Sequence, residues 1–386
     1  MKILLAGLGK SNRAVMDYLK DKGEEIYTYD DISLADYNYS RLKSEMPLFD
    51  IVFLSPGIKY NSSVYSLLLL LAKRVENDLS YAINLVPNTT KIIAVTGSNG
   101  KTTTVTMLEK MLKLTKKKVV VAGNIGIPIL ERIDEIVSSD YLILEISSFQ
   151  AINFAGRIDI LIITSLAPNH LDYYHNYREY LASKKRLILF SKHVISDNEV
   201  KKIMNISCEY KKYIADDSMI KKDYNLALNA YYYLKEKREY LTGFSYESIA
   251  LSCRNELFLT IDGNEFYDDS KSTSLHATLN ALKSSKKDTV LILGGHLKSF
   301  GHQKIKAKKI IIYGKEKQSF IKYLAPYSDY VLVNELSDAV DLIIDYLKDK
   351  SGYRILFSPG GSSLYYPNFL VRGKDFERMV KEKYEL

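Results

Sequence analysis

The chain has 386 residues, 46% apolar and 26% charged. That balance belongs to an ordinary globular protein of two or three domains and excludes a wholly disordered chain. The net charge of +8 includes ten lysines between Lys283 and Lys317. No arginine-rich arm, zinc spacing or aromatic RNA-binding signature accompanies them, so a solvated face or anionic small substrates fit better than nucleic acid. Two cysteines, Cys208 and Cys253, with no CxxC pair exclude a disulfide scaffold and a cysteine-built metal site. The apolar start at 1–8 is too short for a leader, and the leucine run at 67–71 falls far below the ~18 residues of a membrane span. A cytoplasmic, monomeric chain with no membrane insertion is the expectation.

In chain order, an apolar strand, a polar or glycine turn and an amphipathic helix recur. Residues 2–6 read as a strand, 7–12 as a turn, and 14–22 as a helix with Val15, Tyr18 and Leu19 on one face. Strands follow at 26–29, ending at Asp30-Asp31, and at 51–54, ending at Ser55-Pro56-Gly57. Pro87-Asn88-Thr89-Thr90 marks a boundary. A second α/β unit opens with a strand at 92–95, a glycine loop and a helix from about Thr102, followed by strands at 119–122, 141–145 and 158–163. Their near-continuous apolar character suits parallel strands covered on both faces. Beyond about Tyr240 the pattern shortens. A hairpin over 258–266 turns at Asp262-Gly263, and strands follow at 290–293, 310–313 and 355–357.

The sharpest local signal is Thr96-Gly97-Ser98-Asn99-Gly100-Lys101-Thr102 between a strand and a helix. Glycines let backbone N–H groups turn inward around a phosphate, and the helix N-terminus adds a positive dipole end. Lys101 would reach the β/γ-phosphates and Thr102 would hold Mg²⁺. The strict phosphate-loop pattern has glycine where Val95 stands, so this is a variant. The first loop, Gly7-x-Gly9-x-x-Asn12, lacks the third glycine of the dinucleotide fingerprint and leaves a nucleotide site or a plain turn open.

Glu145 ends a strand, where a carboxylate points into the ligand crevice of a parallel sheet and makes a natural Mg²⁺ ligand. His170, Asp172 and His175 follow the strand at 158–163 and could form a metal site or a general-base cluster. Asp268-Asp269-Ser270-Lys271-Ser272-Thr273, Gly294-Gly295-His296-Leu297-Lys298 and Ser358-Pro359-Gly360-Gly361-Ser362-Ser363 all follow strands and read as ligand loops or solvated turns.

Together these residues resemble the Mur ligase family almost end to end. The 96–102 loop matches the family's ATP loop, which itself lacks the first glycine. Leu144-Glu145-Ile146-Ser147-Ser148-Phe149-Gln150 matches the members that take D-glutamate. Asn169-His170-Leu171-Asp172 and Ala182-Ser183-Lys184-Lys185-Arg186 follow at the family's spacing. The resemblance implies three α/β domains: 1–88 Rossmann-like and holding the UDP substrate, 89–250 a P-loop-type ATPase domain with a mostly parallel sheet, and 251–386 Rossmann-like and binding the amino acid. It implies ATP-dependent amide formation through an acyl phosphate in peptidoglycan synthesis, with UDP-N-acetylmuramoyl-L-alanine, D-glutamate and ATP as substrates and two Mg²⁺ ions.

Residue by residue, the resemblance assigns catalysis to Lys101, Glu145, His170 and Lys184. It assigns ATP to Gly97, Ser98, Asn99, Gly100, Lys101, Thr102, Thr103, Asn225, Arg254 and Asp269. The UDP substrate goes to Lys10, Ser11, Asp30, Asp31, Ser55, Pro56, Gly57, Asn124 and Ser147. D-glutamate goes to Lys271, Thr273, Lys298, Ser363, Leu364 and Phe369, and metal to Thr102, Glu145, His170 and Lys184. Lys184 matches a carbamylated lysine, and Lys185 and Arg186 are expected to lower its pKa. The sequence departs from the family pattern at Ser252-Cys253-Arg254, where Pro-His-Arg is usual, and is short between Ile195 and Tyr240. A folylpolyglutamate-type ligase and a nucleotide-binding ATPase module remain as alternatives.

Overall fold

The computed structural model describes residues 1–386 apart from 172, 215–218, 243, 245–252, 298–303 and 364. Its strands form three sheets. The first contains β1 (Lys2–Ala6), β2 (Glu25–Tyr29), β3 (Phe49–Leu54) and β4 (Ala72–Glu76), all parallel, in the order β2-β1-β3-β4. The second contains β5 (Lys91–Thr96), β6 (Val119–Gly123), β7 (Tyr141–Glu145), β8 (Ile158–Ile163) and β9 (Ser191–Ile195), again all parallel, in the order β6-β7-β5-β8-β9. The third contains β10 (Glu256–Ile261), β11 (Asn264–Asp268), β12 (Thr289–Gly294), β13 (Lys309–Tyr313), β14 (Tyr330–Val333) and β15 (Arg354–Gly360), in the order β10-β11-β15-β12-β13-β14. Among the described strand pairs only the β10–β11 hairpin is antiparallel, turning at Asp262-Gly263 as the sequence suggests.

The apolar runs become strands because both faces of each sheet are covered. In β1, Ile3 and Leu5 enter the core that also takes Ile92, Ala94, Leu142 and Leu144 of the second sheet. Leu4 and Ala6 enter a separate cluster with Leu42, Val52 and Leu68. The third sheet repeats the alternation: Val290, Ile292, Ile355 and Phe357 face one cluster, while Leu291, Leu293 and Leu356 face another. By packing, the chain forms two compact units: Met1–Leu166 with Arg178–Tyr246, and Ala167–Tyr177 with Glu247–Leu386.

The structure adds strands that the apolar pattern does not announce: β4, β9 and β14, each the edge of its sheet. β4 carries Lys73 and Arg74, β9 carries Lys192 and His193, and β14 has four residues, none of them buried. A half-solvated edge does not need a continuous apolar run. The first helix is also displaced from its expected span of 14–22 and runs Lys10–Leu19. Extended Gly9 supplies its N-cap, so the turn is shorter than the glycine spacing suggests.

Candidate active site

The loop after β5 is built from glycine backbone that no other residue could adopt at its two critical points. Gly97 has φ +150° and Gly100 φ +87°, and a Cβ would lie 2.0 Å from Thr164 Oγ1 at the first and 2.2 Å from Asp223 Oδ1 at the second. The loop is pinned from β8: Ser98 N donates to Ser165 O at 2.7 Å, Asn99 N to Ser165 Oγ at 3.1 Å, and Thr164 Oγ1 to Asn99 O. Gly100 is the N-cap of the helix Lys101–Lys113, so the loop runs directly into a helix N-terminus, the positive end of the helix dipole. Lys101 folds over the loop, its Nζ donating to Gly97 O at 3.0 Å. Thr103 is buried in the helix. Thr164 and Ser165 do not figure among the sequence assignments. Their signal, a hydroxyl pair directly after an apolar strand, is the same kind that singles out Glu145.

Neighbouring strand ends complete the cluster. Thr102 Oγ1 donates to Glu145 Oε2 at 2.7 Å, and Asn124 Nδ2 donates to Glu145 Oε1 at 2.9 Å. Both carboxylate oxygens thus face hydroxyl or amide donors at the C-terminal edge of the sheet. Lys184, on the helix Tyr177–Arg186, is 1% exposed. Its Nζ lies 3.1 Å from Gly97 O, 3.4 Å from Thr96 Oγ1 and 4.8 Å from the Tyr180 ring centroid. Burial, then the charge of Lys101, pull its pKa well below the ordinary lysine value, against the opposing pull of Glu145. Lys185 and Arg186 do not provide this shift as expected: Lys185 Nζ donates to Met204 O at 3.1 Å and Arg186 Nε to Phe154 O at 3.1 Å. Asn225, fully buried, spends its amide on the backbone of Tyr213 and Ile214.

The loops after β1, β2 and β3 leave from one edge of the first sheet. Lys10 and Ser11 open the first helix, and Asp30 accepts from the N–H groups of Leu8, Ile32 and Ser33, all at 2.9 Å. Those backbone donors hold its pKa below the usual carboxylate value. Asp31 accepts from Tyr39 N at 2.8 Å and from the Tyr29 hydroxyl. Ser55, Pro56 and Gly57 follow β3, and Gly7 approaches so closely that a Cβ there would lie 2.8 Å from Ser55 Cβ. Asn12, in the fingerprint's third-glycine position, is buried and donates to Ala6 O, Gly7 O and Phe53 O, tying two strand ends together. Ser147 caps the helix Ser148–Ile152 in a capping box with Gln150.

In the second unit, His170 has φ +55°, and its carbonyl accepts from Tyr173 N and Tyr174 N, both at 3.0 Å. The loops after the adjacent parallel strands β11, β15 and β12 leave from one edge of the third sheet. Asp269 is buried and accepts from Ser358 Oγ at 2.6 Å and Asn255 N at 3.1 Å. Burial pushes its pKa up to about 6, against the hydroxyls of Ser272 and Ser358 and the charge of Arg254. Lys271 Nζ stacks 4.7 Å from the Phe369 ring centroid, and Thr273 N donates to Lys271 O at 2.9 Å. Arg372, fully buried, clasps two of the loops, donating to Gly361 O at 3.1 Å and Ser270 O at 2.8 Å. Ser363 stands in the loop after β15, while Lys298, Leu364 and Asp172 lie outside the described residues.

A glycine phosphate loop, a threonine hydroxyl against a strand-end carboxylate, and a buried amine beside them define a nucleoside-triphosphate-using α/β enzyme. Residues 95–292 match the Mur ligase middle domain. A UDP-N-acetylmuramoylalanine–D-glutamate ligase of Francisella philomiragia is 31% identical over 99% of this chain and 97% of its own length. The enzyme of the same name from Clostridium botulinum (strain Kyoto) is 27% identical over 98% and 96%. Among solved structures, a pseudomurein peptide ligase type C from Methanothermus fervidus aligns with a TM-score of 0.60 at 16% identity, over 99% of both chains. The chain belongs to the Mur ligase family and is an ATP-dependent ligase. Thr102 Oγ1 and the Glu145 carboxylate are oxygen donors beside a phosphate cradle, a set that fits Mg²⁺.

Proposed function

We propose that this chain joins D-glutamate to UDP-N-acetylmuramoyl-L-alanine at the expense of ATP, in peptidoglycan synthesis. The observation that carries the reading is the 96–102 loop with Glu145, Asn124 and Lys184 gathered at the C-terminal edge of the second sheet. The substrate carboxylate attacks the γ-phosphorus of ATP and forms an acyl phosphate, with ADP leaving. The amine of D-glutamate then adds to the acyl carbon, loses a proton, and expels inorganic phosphate as the amide forms.

Lys101 and the loop N–H groups hold the transferring phosphoryl group. Thr102 and Glu145 would hold Mg²⁺, which neutralises charge on the phosphates when bound. Lys184 is suited to carbamylation because CO₂ adds to a neutral amine, and burial shifts its equilibrium towards that form. As a carbamate it would present oxygens to a second Mg²⁺, and the family resemblance assigns His170 a metal role as well. Lys10, Ser11, Asp30, Asp31, Ser55, Pro56, Gly57, Asn124 and Ser147 are assigned to the UDP substrate. Gly97 to Thr103, Asn225, Arg254 and Asp269 are assigned to ATP, and Lys271, Thr273, Lys298, Ser363, Leu364 and Phe369 to D-glutamate. Domain limits near residues 88 and 250 accompany this assignment, as do a monomer and a cytoplasmic location. Among the described residues no helix is long and apolar enough to cross a membrane.

The test is product identification by mass spectrometry with ATP, UDP-N-acetylmuramoyl-L-alanine and one amino acid at a time. Lys271 and Lys298 favour an acceptor carrying two carboxylates and disfavour a cationic one. D-glutamate is expected to give the amide product and L-lysine none. Equal turnover with L-lysine contradicts the reading.

A further inference from the structure

The third sheet buries an arginine that the chemistry above does not use. Arg354 opens β15 and is 1% exposed. Its Nη1 donates to Ala281 O at 3.1 Å. Its Nη2 donates to Asn255 Oδ1 and, at 3.3 Å, to Ser284 Oγ. The guanidinium lies 5.0 Å from the Tyr267 ring centroid. Among the described residues no carboxylate lies within ion-pair distance of it, and burial pulls its pKa below the usual arginine value. Asp269 and Glu265 favour the charge only from beyond ion-pair distance, and a desolvated cation with no direct ion pair is expensive; apolar packing would fill the same space more cheaply.

What the guanidinium fixes is a turn. Cys253 and Asn255 take left-handed backbone, φ +61° and +51°, on either side of Arg254. Asn255 N donates to Asp269 Oδ1 at 3.1 Å, and Lys271 N donates to Cys253 O at 3.1 Å. A hydrogen-bonded chain therefore runs from Arg354 through Asn255 to Asp269, with Arg254 on the turn that it holds. The planar fork reaches three acceptors in fixed directions, which one ammonium cannot do.

We infer that Arg354 is a positioning residue for nucleotide recognition: by clamping Asn255 it holds the Cys253–Asn255 turn in register with Asp269 and so presents Arg254 to ATP. The inference rests on the assignment of Arg254 and Asp269 to ATP in the proposed function.

The experiment is steady-state kinetics on the full chain with Arg354→Met, Arg354→Lys, Asn255→Ala, Arg254→Ala and the double variant Arg354→Met/Arg254→Ala. Arg354→Met and Arg354→Lys are each expected to raise KM for ATP about tenfold and to leave KM for the UDP substrate within about twofold. In the Arg254→Ala background Arg354→Met adds no further rise, because the two act through one contact. Asn255→Ala removes the acceptor while retaining Arg354 and gives the same rise, which keeps the inference testable if Arg354→Met fails to fold. A purely structural role lowers the active fraction at unchanged KM, equally in both backgrounds, and overturns the inference. An unchanged KM for ATP in Asn255→Ala also overturns it. Wild-type protein that does not turn over the proposed substrates defeats the functional reading instead, which separates the two failures.

Discussion

Lys184 is the residue whose sequence context says least about it. Lys184-Lys185-Arg186 reads as one solvated charge run, yet Lys184 is buried while its neighbours reach backbone carbonyls elsewhere. The difference comes from non-local packing against the phosphate loop and Tyr180, which no sequence spacing encodes. Its depressed pKa means that folding is penalised as pH falls from the unfolded lysine value of ~10.4 towards the folded one, and stability rises with pH through that window. Lys184→Met removes the desolvated amine and keeps most of the volume. It is expected to stay within about 1 kcal/mol of wild type in urea unfolding while losing most activity. Lys184→Arg should also fail, since arginine cannot carry a carbamate. Full activity in either variant reduces Lys184 to a structural lysine.

Asp269 gives the opposite sign. Its pKa is raised to about 6, so the folded state binds the proton more tightly, and stability falls as pH rises from the unfolded value through about 6. Asp269→Asn should therefore reduce the stability gained between pH 8 and pH 5 by about 1 kcal/mol. Urea unfolding at the two pH values measures this, and an unchanged gain contradicts the assignment of the shift to Asp269.

At the scale of elements, the central strands are readable because burial on both faces demands apolar runs. β8 is found at its full span, 158–163, and β7 likewise at 141–145. The edge strands β4, β9 and β14 escape because solvent on one side permits lysine, arginine and histidine. The candidate site is readable for a related reason: parallel strands gather ligands at their C-terminal ends, so Thr96, Glu145 and Asp268 point to loops that matter.

The supports of those loops are less readable. In the helix Phe369–Lys383, Gly373 lets the backbone approach so closely that a Cβ would lie 2.3 Å from Asp268 Oδ2 and 2.5 Å from Ser270 Oγ. Gly373→Ala gains about 1 kcal/mol of helix propensity but must displace the β11 loop, an overpacking cost of about 1–3 kcal/mol. The net expectation is destabilisation with a weaker KM for amino acid, measured by unfolding and kinetics together. A stabilised variant with unchanged KM contradicts this.

At the scale of the molecule, the match over residues 95–292 and the coverage of 97% of the Francisella relative's length describe a chain that carries the family's plan with shorter connections. The gathering of loops at the C-terminal edges of three sheets follows from one rule applied three times, whereas the packing of the first two sheets around a shared core was not legible in local pattern. The central claim is that the second sheet's loop cluster activates a carboxylate by phosphorylating it. The most direct measurement uses UDP-N-acetylmuramoyl-L-alanine labelled with ¹⁸O in its terminal carboxylate, with ATP and D-glutamate, followed by mass analysis of the phosphate released. Attack of that carboxylate on the γ-phosphorus, then displacement by the amine, must leave one ¹⁸O in each phosphate and an equal amount of amide. Unlabelled phosphate, or phosphate released at the same rate without the UDP substrate, contradicts the account.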